Sequence, residues 1–293
     1  MNNFDYSIVV PVLETKNNLH KFIKTAEDLL SSLNNIEIIF IDDGNQYDLG
    51  EIINTDLINF KLIKNKKNLG YGASIKKGVK NASSEIIGII DCDNSYDLKH
   101  LTELLLNFKN NECDLLVGKR IFEYKDFFLK ILFRKIINKL STLIFNYDVE
   151  DINSGLRIFY RKDFIKDLAV YPDKFSITST QTLCAISRNK ELKYIDTKYY
   201  KRDGKSKISV IMDPFRFFYL IFKIFLIFSP MKFFGYFGFI FIALSILVLI
   251  LSSLFLNKIM DITFLILFIS GINFIFFGLL GEIIKINNKR IDD

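Results

Sequence analysis

The chain has 293 residues, half of them hydrophobic, with 30 phenylalanines, no tryptophan and a formal net charge of +6. That length exceeds a usual single domain and the apolar load is uneven, so a folded domain plus a membrane segment is expected rather than one soluble globule. The small charge excess lies beside the apolar C-terminal runs, which points to anionic lipid headgroups as a partner and away from nucleic acid.

From the N-terminus, Ser7–Val12 and Ile36–Ile41 are β-branched apolar runs of the kind buried in a parallel sheet. Between them Leu19, Phe22, Ile23, Ala26, Leu29 and Leu30 recur at helical spacing, which predicts a βαβ unit. Further strands are predicted at Phe60–Ile63, Ile86–Ile90 and Asp114–Val117, with helices at about Gly72–Lys80 and Leu98–Phe108. This alternation is a doubly wound α/β pattern with a mostly parallel, Rossmann-like sheet. Ligands of such sheets bind beyond the carboxyl ends of the strands, where Asp42-Asp43-Gly44 and Asp91-Cys92-Asp93 fall.

Residues 126–146 interleave Phe127, Phe128, Ile131, Leu132, Ile136, Leu140 and Ile144 with Lys130, Arg134, Lys135 and Lys139. That is a basic amphipathic helix, suited either to the membrane interface or to packing on the sheet. Residues 211–232 repeat the theme as a juxtamembrane helix carrying Arg216 and Lys223. Phe233–Leu256 and Ile262–Gly281 then run without one Asp, Glu, Lys or Arg, each long enough to cross a bilayer core of about 30 Å. The expected organisation is therefore a domain over 1–210, a transmembrane hairpin within 233–284 and a tail at 285–293.

Lys223 and Lys232 before the hairpin, and Lys285, Lys289 and Arg290 after it, put both its ends in the cytoplasm by the positive-inside bias. The opening Met1–Asp5 lacks the pattern of a signal peptide, so the folded domain is expected on the cytosolic face of the cell membrane. Cys92, Cys113 and Cys184 are odd in number and lack metal-ligand spacing, which fits reduced thiols there.

Three segments carry chemistry. Asp91 and Asp93 emerge from a strand end as hard oxygen ligands of the kind Mg²⁺ or Mn²⁺ shares with phosphates. Asp42 and Asp43 can accept hydrogen bonds from a base imide or a ribose hydroxyl, and otherwise cap the next helix. Asn68–Ala73, with Gly70 and Gly72, is a helix entry whose backbone N–H groups could meet a phosphate.

In order along the chain stand the Ser7–Pro11 strand, Asp42-Asp43-Gly44, Asn68-Leu69-Gly70-Tyr71-Gly72, Asp91-Cys92-Asp93, Gly118-Lys119-Arg120, Asp151–Arg157 and Arg202–Lys207. This ordered set resembles glycosyltransferase family 2, and within it the polyprenyl-phosphate glycosyltransferases of the dolichol-phosphate mannose synthase and bactoprenol glucosyltransferase kind. The resemblance covers about residues 6–210. It implies a GT-A fold and inverting transfer of one sugar from a UDP- or GDP-linked donor to a polyprenyl phosphate, undecaprenyl or dolichyl, for cell-surface glycan synthesis. It assigns Pro11, Val12, Glu14, Asp42, Asp43, Gly70 and the Asp91–Asp93 triplet with Cys92 to the nucleotide sugar. Asp91, Asp93 and Ser95 take the metal positions, Arg120, Arg134, Arg202 and Ser206 the acceptor phosphate, and Asp91, Asp93, Asp151 and Arg202 the catalytic positions.

The chain departs from the family pattern in three places. Glu14 stands one position later than the usual acid after the first proline, Ser95 replaces a common glutamine, and Thr178-Ser179-Thr180-Gln181 replaces a segment that is often acidic. A processive polysaccharide synthase would need a Gln-x-x-Arg-Trp motif, which a chain without tryptophan lacks. The alternatives are a silent nucleotide-sugar-binding membrane protein and a glycosyltransferase of the same superfamily acting on another acceptor; homo-oligomerisation stays open.

Overall fold

The computed structural model describes residues 4–14, 16–32, 35–53, 59–110, 112–124, 128–174, 176–201, 212–255 and 260–292. Its elements in chain order are β1 (Tyr6–Val12), α1 (Lys16–Ser32), β2 (Ile36–Asp42), β3 (Phe60–Lys64), α2 (Tyr71–Lys80), β4 (Ile86–Ile89), α3 (Leu98–Asn110), β5 (Leu115–Phe122) and α4 (Phe128–Phe145). There follow β6 (Arg157–Tyr160), α5 (Arg161–Lys166), α6 (Ile177–Ser187), β7 (Leu192–Tyr199), α7 (Met212–Phe228), α8 (Pro230–Phe255) and α9 (Asp261–Asp292).

The seven strands form one sheet in the order β3-β2-β1-β4-β6-β5-β7. β1 pairs in parallel with β2 and β4, β2 with β3, and β5 with β7, whereas β6 runs antiparallel between β4 and β5. The α/β expectation holds, with one reversed strand inside an otherwise parallel sheet. That reversal brings the segment before β6, residues 151–156, to the same edge as the carboxyl ends of β4 and β5.

The apolar runs are strands because both of their faces are covered: β2 is buried at every residue and β1 at all but Pro11. Leu19, Phe22, Ile23 and Ala26 of α1 lie in the core, as their spacing predicts, beside Leu101, Leu104, Leu105 and Phe108 of α3. Aromatic rings fix the layer on β2, where Phe40 meets Phe22 and Phe60 edge-on at centroid distances of 6.2 and 5.5 Å.

The chain divides into two compact units, Met1–Phe218 and Tyr219–Asp293, with the division inside α7. In the second unit α8 and the first part of α9 are each long and apolar enough to cross a membrane, and most of their apolar surface is exposed rather than packed in a core. The two helices pack through glycine: a methyl group added at Gly238 would lie 2.9 Å from the Gly271 carbonyl oxygen, and one at Gly271 the same distance from that of Gly238. Small residues at a crossing let apolar helices approach where no water drives them together.

Candidate active site

The site is built at the carboxyl ends of β1, β2, β4 and β5, where each strand gives way to a loop carrying polar side chains. Asp91 follows β4 and is held twice. Tyr71 Oη at the start of α2 donates to its Oδ1 at 2.9 Å, and the backbone of Gly155 lies so close that an added Cβ would sit 2.6 Å from Oδ2. Burial, and then the charge of Asp91, push the Tyr71 phenol well above its ordinary value, so it remains a donor throughout the physiological range.

Asp93 is oriented by Ser95, whose backbone N donates to Oδ1 at 3.0 Å and whose hydroxyl donates to the same oxygen. Asn94 turns the chain between them with φ of 61°. Fully buried Ser95 thus supports Asp93 through both its amide and its hydroxyl. Cys92 points inward and its thiol reaches the Pro11 carbonyl oxygen at 3.5 Å, tying β4 to the end of β1.

No three His, Cys, Asp or Glu side chains among the described residues cluster to hold an ion alone. Two carboxylates at one strand end are instead the donor set of a hard divalent cation that completes its shell with phosphate oxygens and water. The residues present fit such an ion, with Asp91 and Asp93 as the protein's contribution.

Asp42 and Asp43 close β2 with different tasks. Asp43 accepts from Asn65 Nδ2 at 3.0 Å, the Leu69 amide at 2.9 Å and the Gly70 amide at 3.0 Å, so its carboxylate anchors the loop before α2. Asp42 receives the Gly44 and Asn45 amides and Asn45 Nδ2 on Oδ1 alone, at 3.1, 2.9 and 2.7 Å. Asn45 also donates to the Val12 carbonyl at 2.9 Å and accepts from the exposed Glu14's amide at 2.7 Å. It therefore braces the ends of β1 and β2, a role the sequence did not announce.

At the helix entry Asn68–Ala73 four backbone amides have partners within the protein. The Leu69 and Gly70 amides serve Asp43, and those of Gly72 and Ala73 donate to the carbonyls of Lys174 and Asp173 at 3.1 and 2.7 Å. These amides dock the loop onto residues 173–174, and Gly70 belongs to that junction.

Across the sheet, Arg120 at the end of β5 forms a two-point pair with Asp151, Nε to Oδ2 at 2.8 Å and Nη2 to Oδ1 at 2.7 Å. Asp151 also accepts the amides of Arg120 and Asn153, at 3.1 and 3.2 Å. Burial opposes both charges, but each guanidinium or carboxylate more than offsets this for the other: Arg120 is held above its ordinary value and Asp151 below. Arg134, on α4, lies over the Phe122 ring at 3.9 Å, and Arg120 lies 5.6 Å from the same ring and 5.5 Å from that of Tyr199. Two guanidiniums from different elements thus share one aromatic platform. Arg202 and Ser206 lie outside the described residues.

The segment 153–155 joins the two halves of the site. Ser154 Oγ donates to the Gly118 carbonyl and meets Tyr96 Oη at 2.9 Å, while the Gly155 amide donates to Tyr96 Oη at 3.1 Å. Behind it Arg157 is fully buried and spends its donors on neutral acceptors: the Ser154 carbonyl, the Thr178 carbonyl at 2.8 Å, Gln181 Oε1 at 3.1 Å and Thr182 Oγ1 at 3.5 Å. The Thr178–Gln181 departure lies at the buried first turns of α6 and brings no carboxylate to the site.

Comparisons with known proteins identify the family and the fold. A search of family models matches the glycosyl transferase family 2 model over residues 7–168. The chain is 22% identical to a dolichol-phosphate mannosyltransferase of Pyrococcus furiosus over 178 residues, covering 58% of this chain and 50% of that protein. The chain spans about half the length of the curated relatives it matches. Among solved structures, it resembles glucosyl-3-phosphoglycerate synthase of Mycobacterium tuberculosis in complex with Mn²⁺, UDP and glucosyl-3-phosphoglycerate, with a TM-score of 0.58, 13% identity and coverage of 75% of this chain and 80% of that one. It also resembles S. aureus TarS in complex with UDP-GlcNAc, with a TM-score of 0.55, 17% identity and coverage of 76% and 67%. These likenesses establish the GT-A fold, and the family match, which spans more than half the chain, the rest: the chain belongs to glycosyl transferase family 2.

Proposed function

We propose that the chain transfers a single sugar from a UDP- or GDP-linked donor to a polyprenyl phosphate, undecaprenyl or dolichyl, at the cytosolic face of a membrane. The observation that carries this reading is the condition of Asp151. Its carboxylate is saturated by the Arg120 pair and two amides, so Asp151 is not available as a base, while Arg134 brings a second guanidinium beside the pair. A sugar or polyol hydroxyl would need a base to remove its proton, whereas a lipid phosphate is already an anion near neutral pH and needs cationic alignment instead.

In the proposed reaction an oxygen of the acceptor phosphate attacks the anomeric carbon as the bond from that carbon to the diphosphate oxygen breaks. The bonding pair leaves with the nucleoside diphosphate, and configuration inverts. Arg120 and Arg134 align the attacking phosphate through their guanidiniums, with Arg202 and Ser206 assigned there by motif position. Asp42 is suited to the base or ribose, since its Oδ2 carries no hydrogen bond among the described residues. Asp91 and Asp93 would hold Mg²⁺ or Mn²⁺, which when bound offsets the charge that develops on the departing diphosphate. Ser95 and Tyr71 keep those carboxylates in place.

Membrane attachment is supported by α8 and α9, and by the exposed stripe Phe128, Leu132, Ile136 and Leu143 of α4, which is interleaved with exposed Lys135 and Lys139. Such a face buries apolar side chains among acyl tails while lysine heads reach phosphates. Incubation of the full chain in detergent with labelled nucleotide sugars, undecaprenyl phosphate and Mn²⁺ tests the proposal. A labelled, organic-soluble lipid product with one donor is expected. Donor consumption without lipid product would remove the polyprenyl acceptor, and no consumption of any donor would remove the enzyme.

A further inference from the structure

We propose that Asn153 is a specificity-determining residue that offers its amide hydrogens to an oxygen of the transferred sugar. The inference rests on the glycosyl-transfer reading above and deepens it by naming a contact for the sugar. Its basis is the place of Asn153 between the two charged halves of the site. Two residues before it, Asp151 pairs with Arg120 and accepts the Asn153 amide; two residues after it, Gly155 abuts Asp91. The sugar must lie between the diphosphate on the Asp91 side and the acceptor on the Arg120 side, and the 153–155 segment spans that interval.

The orientation of the side chain is set from behind. Asn153 Oδ1 accepts from Thr178 Oγ1 at 3.0 Å and from Ser179 Oγ at 3.1 Å. Both hydroxyls sit on the buried first turn of α6, which Arg157 ties to the Ser154 carbonyl through its bond to the Thr178 carbonyl. With its oxygen committed twice, the amide presents Nδ2, which has no acceptor among the described residues and is not one of the sealed polar atoms of the fold. A pre-oriented pair of N–H donors recognises a hydroxyl or carbonyl oxygen. Discrimination by such a contact is steep because an unmatched sugar leaves the amide unpaired. The same arrangement gives a function to the carboxylate-free Thr178–Gln181 segment: its hydroxyls aim the amide.

The test uses two variants of the full chain and compares binding of a nucleoside diphosphate with binding of its nucleotide sugar, both with Mn²⁺, by calorimetry. The donors are UDP-glucose, UDP-N-acetylglucosamine and GDP-mannose, against UDP and GDP. Asn153→Ala removes the donors and is expected to weaken the nucleotide sugar about five- to tenfold while leaving the nucleoside diphosphate unchanged. Thr178→Val keeps the amide but removes one hydroxyl that aims it, and a smaller loss of about two- to threefold with the same selectivity is expected. Equal losses for diphosphate and nucleotide sugar, or none for either, would overturn the inference while leaving the transferase reading intact. A wild-type chain that binds none of the donors would overturn both.

Discussion

Arg120 and Asp151 form a two-point ion pair whose side chains are only 9% and 11% exposed. Deleting one partner leaves the other as a buried, uncompensated charge, which typically costs about 3–5 kcal/mol. Asp151→Ala should therefore lose stability of that order in urea unfolding of the purified chain, with turnover falling alongside it. A double Arg120→Met, Asp151→Met variant should recover most of the stability and none of the activity. If Asp151→Asn instead abolished turnover at unchanged stability, the carboxylate would be acting as a base rather than as the holder of Arg120.

The same pair sets an acid limit. The Asp151 carboxyl is held below its ordinary value in the folded state, so its contribution to stability is fully present above the unfolded value of about 3.9 and is lost as pH falls through the lower folded one. Stability measured by thermal unfolding should be flat with respect to this pair between pH 8 and 5, and the difference between wild type and Asp151→Asn should shrink only below about pH 4. A difference that vanished near pH 6 would contradict the pairing.

Gln181 presents Oε1 to the buried Arg157 at 3.1 Å, and among the described residues no carboxylate pairs with that guanidinium. Gln181→Glu keeps the shape and supplies a counter-charge, turning a neutral contact into a charge-assisted one. The variant is expected to gain about 1–2 kcal/mol. A rise in the thermal midpoint with unchanged donor binding is the outcome that fits a structural role for Arg157; a fall would mean that burying the added carboxylate costs more than the pair returns.

The first half of the domain was legible because its pattern is unambiguous. β1, β2 and β4 are β-branched runs buried on both faces, and Asp42, Asp43, Asp91 and Asp93 follow directly from where those runs stop. The second half gave weaker signals. β6 is four residues long and antiparallel, and α6 is buried nearly all round, so neither shows the alternation or helical stripe that marks a half-exposed element. Within the site, Gly70 shows what the sequence leaves out. A glycine at a helix entry reads as a phosphate cradle, but two neighbouring amides were taken by Asp43 and two by carbonyls of residues 173–174, more than a hundred positions along the chain from Gly70. Tyr71, Tyr96, Asn45 and Asn153 were missed for the same reason, since their roles exist only through partners distant in sequence or through the turns that gather them.

Gly155 gives the sharpest test of the metal assignment, because it changes a carboxylate's position without touching the carboxylate. Its backbone is in a region open to alanine, so a substitution there is limited by space alone. An added Cβ would lie 2.6 Å from Asp91 Oδ2 and 3.2 Å from Cγ, and one of the two must move. The loop is the stiffer partner: Tyr96 Oη fixes the Gly155 amide and Arg157 grips the preceding carbonyl. Asp91, whose Oδ1 receives the Tyr71 hydroxyl while its Oδ2 faces Gly155, is therefore expected to be the partner that shifts. Displacing a ligand by about 1 Å typically costs on the order of 10²-fold in rate. Gly155→Ala is thus expected to need several times more Mn²⁺ for half-maximal turnover and to lose about 10²-fold in kcat, while its thermal midpoint stays close to that of the wild type. Tyr71→Phe, which removes the opposing hydroxyl, should shift the Mn²⁺ requirement in the same direction by a smaller factor. Wild-type metal dependence in both variants would detach Asp91 from the ion and leave Asp93 to carry it.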